Sequence, residues 1–483
     1  GGSNTFGCMY LFFFVCSSIT QPFVVRFSKL FLCCIGFNSN LVPYSNPIYN
    51  LQLSSPHPYM NGTFDAVDDT DVCPQREEYN LTIVGSLDCL HLNVYVPHNT
   101  TVDAKLPVMV YIYGGGFELG FSRGIIYGPK FLVPHGIVMV IFNYRVGPYG
   151  FMCLDTEEYP GNQGLKDQVL AIEWVKNNIA AFGGDVDNVS LMGNSAGGMS
   201  ADLHLLSPMP KLFHKVILQS GVALAPSAVG PSDPTAPLEL AEHLGFKTDN
   251  VKEALTFLTN THTDLVIAKF PNVERMISSH PEHDITIKFN NMSIMAGFTD
   301  QEGLMFFRIF QSIIEELDEQ MINSLFRLCI NQEFDITKMD IMVDKVRRFY
   351  LGDVEVKQKQ EEIINFLSDF FNISPIQRAI IRYAEAGVKV YQYLFSYDGE
   401  RNYMKKSLNL KIRGASHGDD MGYIFDMPFF LEPPTKADQL TIDRMTTMWT
   451  NFATLTGKKG CKGVKMRKFV QINLVPKIHN RWR

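Results

Sequence analysis

Ser195 stands in Gly193-Asn194-Ser195-Ala196-Gly197, and a hydroxyl bracketed by glycines is what an exposed nucleophile for acyl transfer requires. Chance alone puts a G-x-S-x-G pentapeptide in about one chain in five of this length, because Gly and Ser each make up roughly 7% of residues. The setting carries more weight. A short strand expected over 189–192 runs into Gly193, and a helix expected over 196–206 ends at Ser207-Pro208. Glycines on both sides let such a strand and helix close around a strained turn that lifts the serine oxygen clear of the sheet edge. The helix N-terminus would then aim backbone N–H groups at negative charge developing on a carbonyl.

A serine of this kind needs amides for the oxyanion, a base, and a carboxylate to orient that base. Gly114-Gly115-Gly116-Phe117 directly follows an apolar run, where glycines allow a loop to turn its amides inward. Among the twelve histidines, His417 is the candidate base, because Gly414-Ala415-Ser416-His417-Gly418-Asp419-Asp420 reads as a loop of small and polar residues after a strand. His204 and His214 fall in helix and strand positions and read as packing residues. The carboxylate is expected between serine and histidine in chain order, and Glu302 fits, at the end of Gly297-Phe298-Thr299-Asp300-Gln301-Glu302-Gly303. Asp300 is the local competitor, while Asp419 and Asp420 read as neighbours of the histidine.

The elements that must hold these groups alternate. Continuous apolar runs over 108–113 and 137–142 read as strands buried on both faces, and further strands are expected over 214–219, 293–296 and 388–395. Between them lie helical stretches such as 356–371 and 165–179, the latter with Leu165, Val169, Ile172, Val175 and Ile179 on one face and Gly183-Gly184 as its stop. This alternation predicts an α/β class, with a mostly parallel sheet covered by helices on both faces.

The chain has 483 residues, 46% hydrophobic and 19% charged, which excludes a disordered or fibrous protein. A net charge of −7 argues against nucleic acid as a partner. Residues 1–40 form an anomalous apolar segment whose stretch 9–19 has the length of a signal-peptide core, without the positive residues that normally precede one. The main domain is expected over 41–456, and 457–483 is a basic tail with no acidic residue. Sequons at Asn61, Asn80, Asn99, Asn188, Asn291 and Asn372 fit a secreted glycoprotein; a cytoplasmic location is the alternative.

At these residues the chain resembles the type-B carboxylesterase family of the α/β-hydrolase fold, and looks closest to insect carboxylesterases. The motifs run in order from 42 to 456: CPQ (73–75), DCLHLNVYVP (88–97), YGGGF (113–117), NYRVGPYGF (143–151), GNQGLKDQ (161–168), FGGD (182–185), GNSAGG (193–198), ILQSG (217–221), GFTDQEG (297–303) and GASHGDD (414–420). The resemblance implies Ser195 as nucleophile, His417 as general base and then acid, Glu302 as orienter, and an oxyanion hole from the amides of Gly115, Gly116 and Ala196. It also implies a Cys73–Cys89 disulfide and a buried Arg145–Asp167 pair, and leaves Cys153, Cys329 and Cys461 without an evident disulfide partner. Two departures stand out. Asn194 occupies the position before the serine where the family usually has an acidic residue, and residues 1–40 have no counterpart of the family's opening hairpin.

The reading that follows is a serine carboxylic-ester hydrolase acting on small to medium apolar esters, requiring neither cofactor nor metal. The loop between Cys73 and Cys89 has no Trp to hold a quaternary ammonium, which disfavours a choline-ester specialist. Asn rather than Gln before the serine disfavours a juvenile-hormone esterase. The alternative is a non-catalytic adhesion or binding member of the same fold. Sequence supplies no firm sign of a membrane partner and leaves the oligomeric state open.

Overall fold

The computed structural model describes the strand Phe23–Phe27 and residues 69–77, 82–154, 161–207, 212–230, 233–269, 292–309, 339–352 and 360–454. Its strands are β1 (Phe23–Phe27), β2 (Gln75–Arg76), β3 (Ile83–Val84), β4 (Leu92–Val96), β5 (Leu106–Ile112), β6 (Val138–Phe142), β7 (Gly184–Asn194), β8 (Lys215–Gln219), β9 (Ser293–Thr299) and β10 (Lys389–Phe395). Eight of them form one sheet in the order β1-β4-β6-β5-β7-β8-β9-β10, antiparallel at β1–β4 and β4–β6 and parallel from β6 to β10. This is the expected mostly parallel sheet, with helices packed on both faces.

Apolar content sets the order of burial. β6 and β8 are buried along their whole length, whereas β10 at the sheet edge is buried only at Tyr393 and Phe395. Rings pin the long helix Lys436–Thr454 to β10, with Tyr391 against Phe452 and Tyr393 against Trp449. β7 extends beyond the expected 189–192 because Gly184 pairs with Leu106 across a register shift before Val189 meets Val108.

The helix Gln163–Asn178 buries the C-terminal part of the predicted stripe, Ile172 and Val175 with Ile179 just beyond, and departs from it at the N-terminal end. Leu165 and Val169 are only half-buried, while Asp167, Gln168 and Ala171 are fully buried, since Asp167 meets Arg145 and Gln168 meets Ser200 and His204. Polar pairing, invisible to hydrophobic periodicity, sets the rotation. A 3-10 turn over Ile179–Phe182 follows, closed by Gly183 at φ 76°. The helical stretch expected over 356–371 appears as Gln360–Ser368, a π-turn over Asp369–Ile373 and then Ser374–Glu385.

Within residues 1–40, β1 lies antiparallel on β4. Asn188 and Asn372 are buried with side chains bonded internally, to Lys215 and to the Ser220 carbonyl, so neither is an acceptor for a glycan. Asn99 is exposed on a turn, and Asn61, Asn80 and Asn291 lie outside the described residues, as do Cys329, Cys461 and the basic tail. Cys153 is buried and forms no disulfide. Among the described residues no helix is long and apolar enough to cross a membrane.

Candidate active site

β7 delivers Ser195 through a turn that only glycine neighbours allow. A Cβ at Gly193 would lie 2.1 Å from the Gly197 carbonyl oxygen, and one at Gly197 would lie 2.0 Å from that of Ile112. Ser195 itself sits at φ 57°, ψ −126°, a sparsely populated conformation for a non-glycine residue that costs about 1–3 kcal/mol. Its amide donates to the Gln219 carbonyl at 2.8 Å and its own carbonyl accepts from Met199 at 2.9 Å, which holds the turn between β8 and the helix Ala196–Leu206.

Facing that turn is the glycine loop after β5, where Gly114 would bring a Cβ to 2.9 Å from the Ser195 Cβ. Gly115 at φ 112° and Gly116 at φ 62° turn the chain, and Gly115 has no room for a side chain because the Leu119 carbonyl oxygen occupies it. Among the described residues, no backbone carbonyl takes up the amides of Gly115, Gly116 or Ala196. The loop is propped from behind. Gln75, two residues after Cys73, accepts from the Gly120 amide at 2.7 Å and donates to the Gly120 carbonyl at 2.9 Å. The Cys73–Cys89 disulfide is present and closes that segment.

Glu302 is fully buried at the end of β9. One carboxylate oxygen accepts from the Thr299 amide at 2.7 Å and from the Ser220 hydroxyl at 2.6 Å; the other accepts from His417 Nδ1 at 2.5 Å. Asp300 does not compete, for it accepts from the Ala415 amide instead. Burial alone would disfavour a charged His417, but the Glu302 carboxylate, with Asp420 and Asp419 behind it, raises its pKa above the ordinary imidazole value. Nε2 of His417 is buried and makes no hydrogen bond among the described residues. The histidine and carboxylate are therefore joined, while no hydrogen bond links Ser195 to His417 Nε2 among the described residues. Arg145 and Asp167 form the expected buried pair, with Nε and Nη2 each 2.8 Å from a carboxylate oxygen.

Sequence reading did not single out Ser220 or Phe306, and named Asp420 only as a neighbour of the histidine. Ser220 follows β8 as Ser195 follows β7, so the rule that places function at strand C-termini would have found it. Asp420 is buried, accepts from Gln219 at 2.9 Å and Tyr393 at 3.1 Å, and is pushed up to about 6 by that burial. Phe306 sets its ring 5.8 Å from that of His417 and stacks on Phe371, making an apolar wall beside the imidazole. His204 and His214 have the packing roles expected, bonded to Gln168 and to the Val189 amide.

Asn194 is buried, and its Oδ1 lies 3.7 Å from the position a Cβ would take at Gly418, next to His417. Asn194→Glu should therefore raise the His417 pKa and move the acid limb of kcat/KM about one pH unit upward, since only the neutral imidazole can act as base. An unmoved limb would refute that placement of charge.

The sequence profile described as the carboxylesterase family matches residues 40–473. The chain is 32% identical to human bile salt-activated lipase over 446 residues, covering 85% of this chain and 58% of that protein's length. It is 31% identical to juvenile hormone esterase of Tribolium castaneum, over 85% of this chain and 78% of that one. The crystal structure of Manduca sexta juvenile hormone esterase with OTFP covalently attached superposes with a TM-score of 0.76 at 25% identity, covering 89% of this chain and 85% of that one. Sheet order, the turn at Ser195 and these similarities agree: the chain belongs to the carboxylesterase family.

Proposed function

We propose that the protein is a serine carboxylic-ester hydrolase working through an acyl-enzyme. Ser195 Oγ attacks the ester carbonyl, His417 takes its proton and passes it to the departing alcohol, and Glu302 holds the imidazole with Nδ1 protonated. The amides of Gly115, Gly116 and Ala196 receive the oxyanion. Water then attacks the acyl-enzyme by the same route in reverse. The observation that carries this reading is the buried His417–Glu302 bond of 2.5 Å, in a site with a glycine loop of positive-φ residues and a serine held in a strained turn. A covalent adduct in the Manduca sexta relative supports it.

Phe306 and Phe371 beside the base support small to medium apolar esters as substrates. The Cys73–Cys89 disulfide supports passage through the secretory pathway, with Asn99 as an exposed glycan acceptor.

The test is labelling of the full chain with a fluorophosphonate, followed by peptide mapping. One label per chain, on the peptide carrying Ser195, is the expected result. A folded protein that takes no label would replace the hydrolase with the binding member of the fold.

A further inference from the structure

The segment that carries His417 is gripped in an unusual way. Three successive amides donate to three different carboxylates: Gly414 to Asp398 at 3.1 Å, Ala415 to Asp300 at 2.8 Å, and Ser416 to Asp419 at 2.6 Å. These carboxylates come from separate places, Asp300 beyond β9, Asp398 beyond β10, and Asp419 just past the histidine. The Gln301 amide adds a bond of 3.0 Å to the Ala415 carbonyl. Amide bonds to ionised carboxylates are short and strong, but three negative charges around one loop repel one another.

Lys405, on the short helix Tyr403–Ser407, meets this arrangement from both ends. Its Nζ lies 2.5 Å from Asp398 and donates to the Gly414 carbonyl at 2.9 Å, while its backbone amide donates to Asp419 at 3.0 Å. Its charge also favours the ionised forms of Asp300 and Asp419, both of which burial pushes upward. The side chain is 10% exposed, so solvent screens it little.

We propose that Lys405 is a positioning residue of the ester-hydrolysis reaction: its ammonium clamps Asp398 and the Gly414 carbonyl and offsets the charge of Asp300 and Asp419, the three carboxylates that fix the backbone at 414–416, and thereby the place of His417. The inference rests on the serine–histidine–glutamate reading above. The role requires no contact between Lys405 and the substrate. A base displaced by about 1 Å loses around two orders of magnitude in rate, while ground-state binding is largely untouched.

The experiment compares Lys405→Met and Lys405→Arg with the wild-type full chain, measuring kcat and KM on a p-nitrophenyl ester and amide hydrogen exchange of the peptide spanning 414–416. In Lys405→Met, kcat should fall by about 30-fold with KM within about twofold, and the three amides should exchange about tenfold faster. Lys405→Arg, which keeps the charge, should recover most of both. Wild-type kcat in Lys405→Met, or a loss that arginine does not rescue, overturns the proposal. Should Lys405→Met fail to fold, Asp398→Asn removes the ion pair at its more exposed end, where the carboxylate is 37% exposed; a severalfold lower kcat supports the proposal and an unchanged one overturns it. If the wild type hydrolyses no ester, the acyl-enzyme reading falls, and the exchange rates alone decide whether Lys405 holds the segment.

Discussion

Glu302→Gln is expected to lower kcat by about 10⁴, equivalent to roughly 5.5 kcal/mol of barrier, without unfolding the protein. The carboxylate accepts three hydrogen bonds and offers no donor: two arrive at one oxygen from Thr299 and Ser220, and one at the other from His417. Glutamine must present an N–H₂ on one side. Turned toward the histidine, that group meets Nδ1 as a donor and forces the proton onto Nε2, where it can no longer accept from Ser195. Turned the other way, it opposes the buried Thr299 amide. In both cases the charge that stabilises the imidazolium is lost, so the acid limb of any residual activity should move to lower pH. Steady-state kinetics across pH, with circular dichroism as the folding control, decide the matter. A loss below about tenfold would mean that Glu302 does not orient the base.

Gly197→Ala should have the largest effect on stability. The added methyl would lie 2.0 Å from the Ile112 carbonyl oxygen and 2.7 Å from that of Tyr113, both backbone atoms of β5 or its end, so no side chain can yield. Ile112 is itself paired with Gly193 in the neighbouring strand. The helix behind Ser195 would have to leave the sheet, at a cost of about 4 kcal/mol or more, seen as lost soluble protein or a large fall in Tm. Gly116→Ala is the comparison. A Cβ there meets nothing within 4 Å, and only the positive φ of 62° opposes it, so that variant should fold, with a penalty of about 1–2 kcal/mol. Equal stabilities of the two variants would show that crowding at the turn is not what selects glycine.

The parts of the fold that could be read from sequence are those written by local composition. The helix Ala196–Leu206 appears with its expected bounds, because Ser207-Pro208 closes it and the glycines open it. β6 and β9 were legible as apolar runs, and Glu302, His417 and Ser195 through their positions after strands. What could not be read depends on distant partners. The rotation of Gln163–Asn178 is set by Arg145 and His204, and the buried state of Asn188 and Asn372 by Lys215 and Ser220. Asp300 and Glu302 are two residues apart and chemically alike; only the docking of the 414–416 backbone against one and the imidazole against the other separates them. The grip on that segment gathers carboxylates from three segments, a pattern with no local spacing to betray it.

The bond between His417 and Glu302 spans 115 residues of chain. During synthesis, which runs at about 5–20 residues per second, the serine, its turn and the glycine loop are therefore made well before the base exists. Contacts so remote in sequence are also the slowest to form, because loop closure must precede any gain from pairing. A nascent chain thus carries the glycine loop and the serine turn before the histidine–carboxylate bond can form. Under the proposed acyl-enzyme reaction, that ordering acts as a built-in delay: the Ser195 hydroxyl gains its base only when the last third of the molecule has docked.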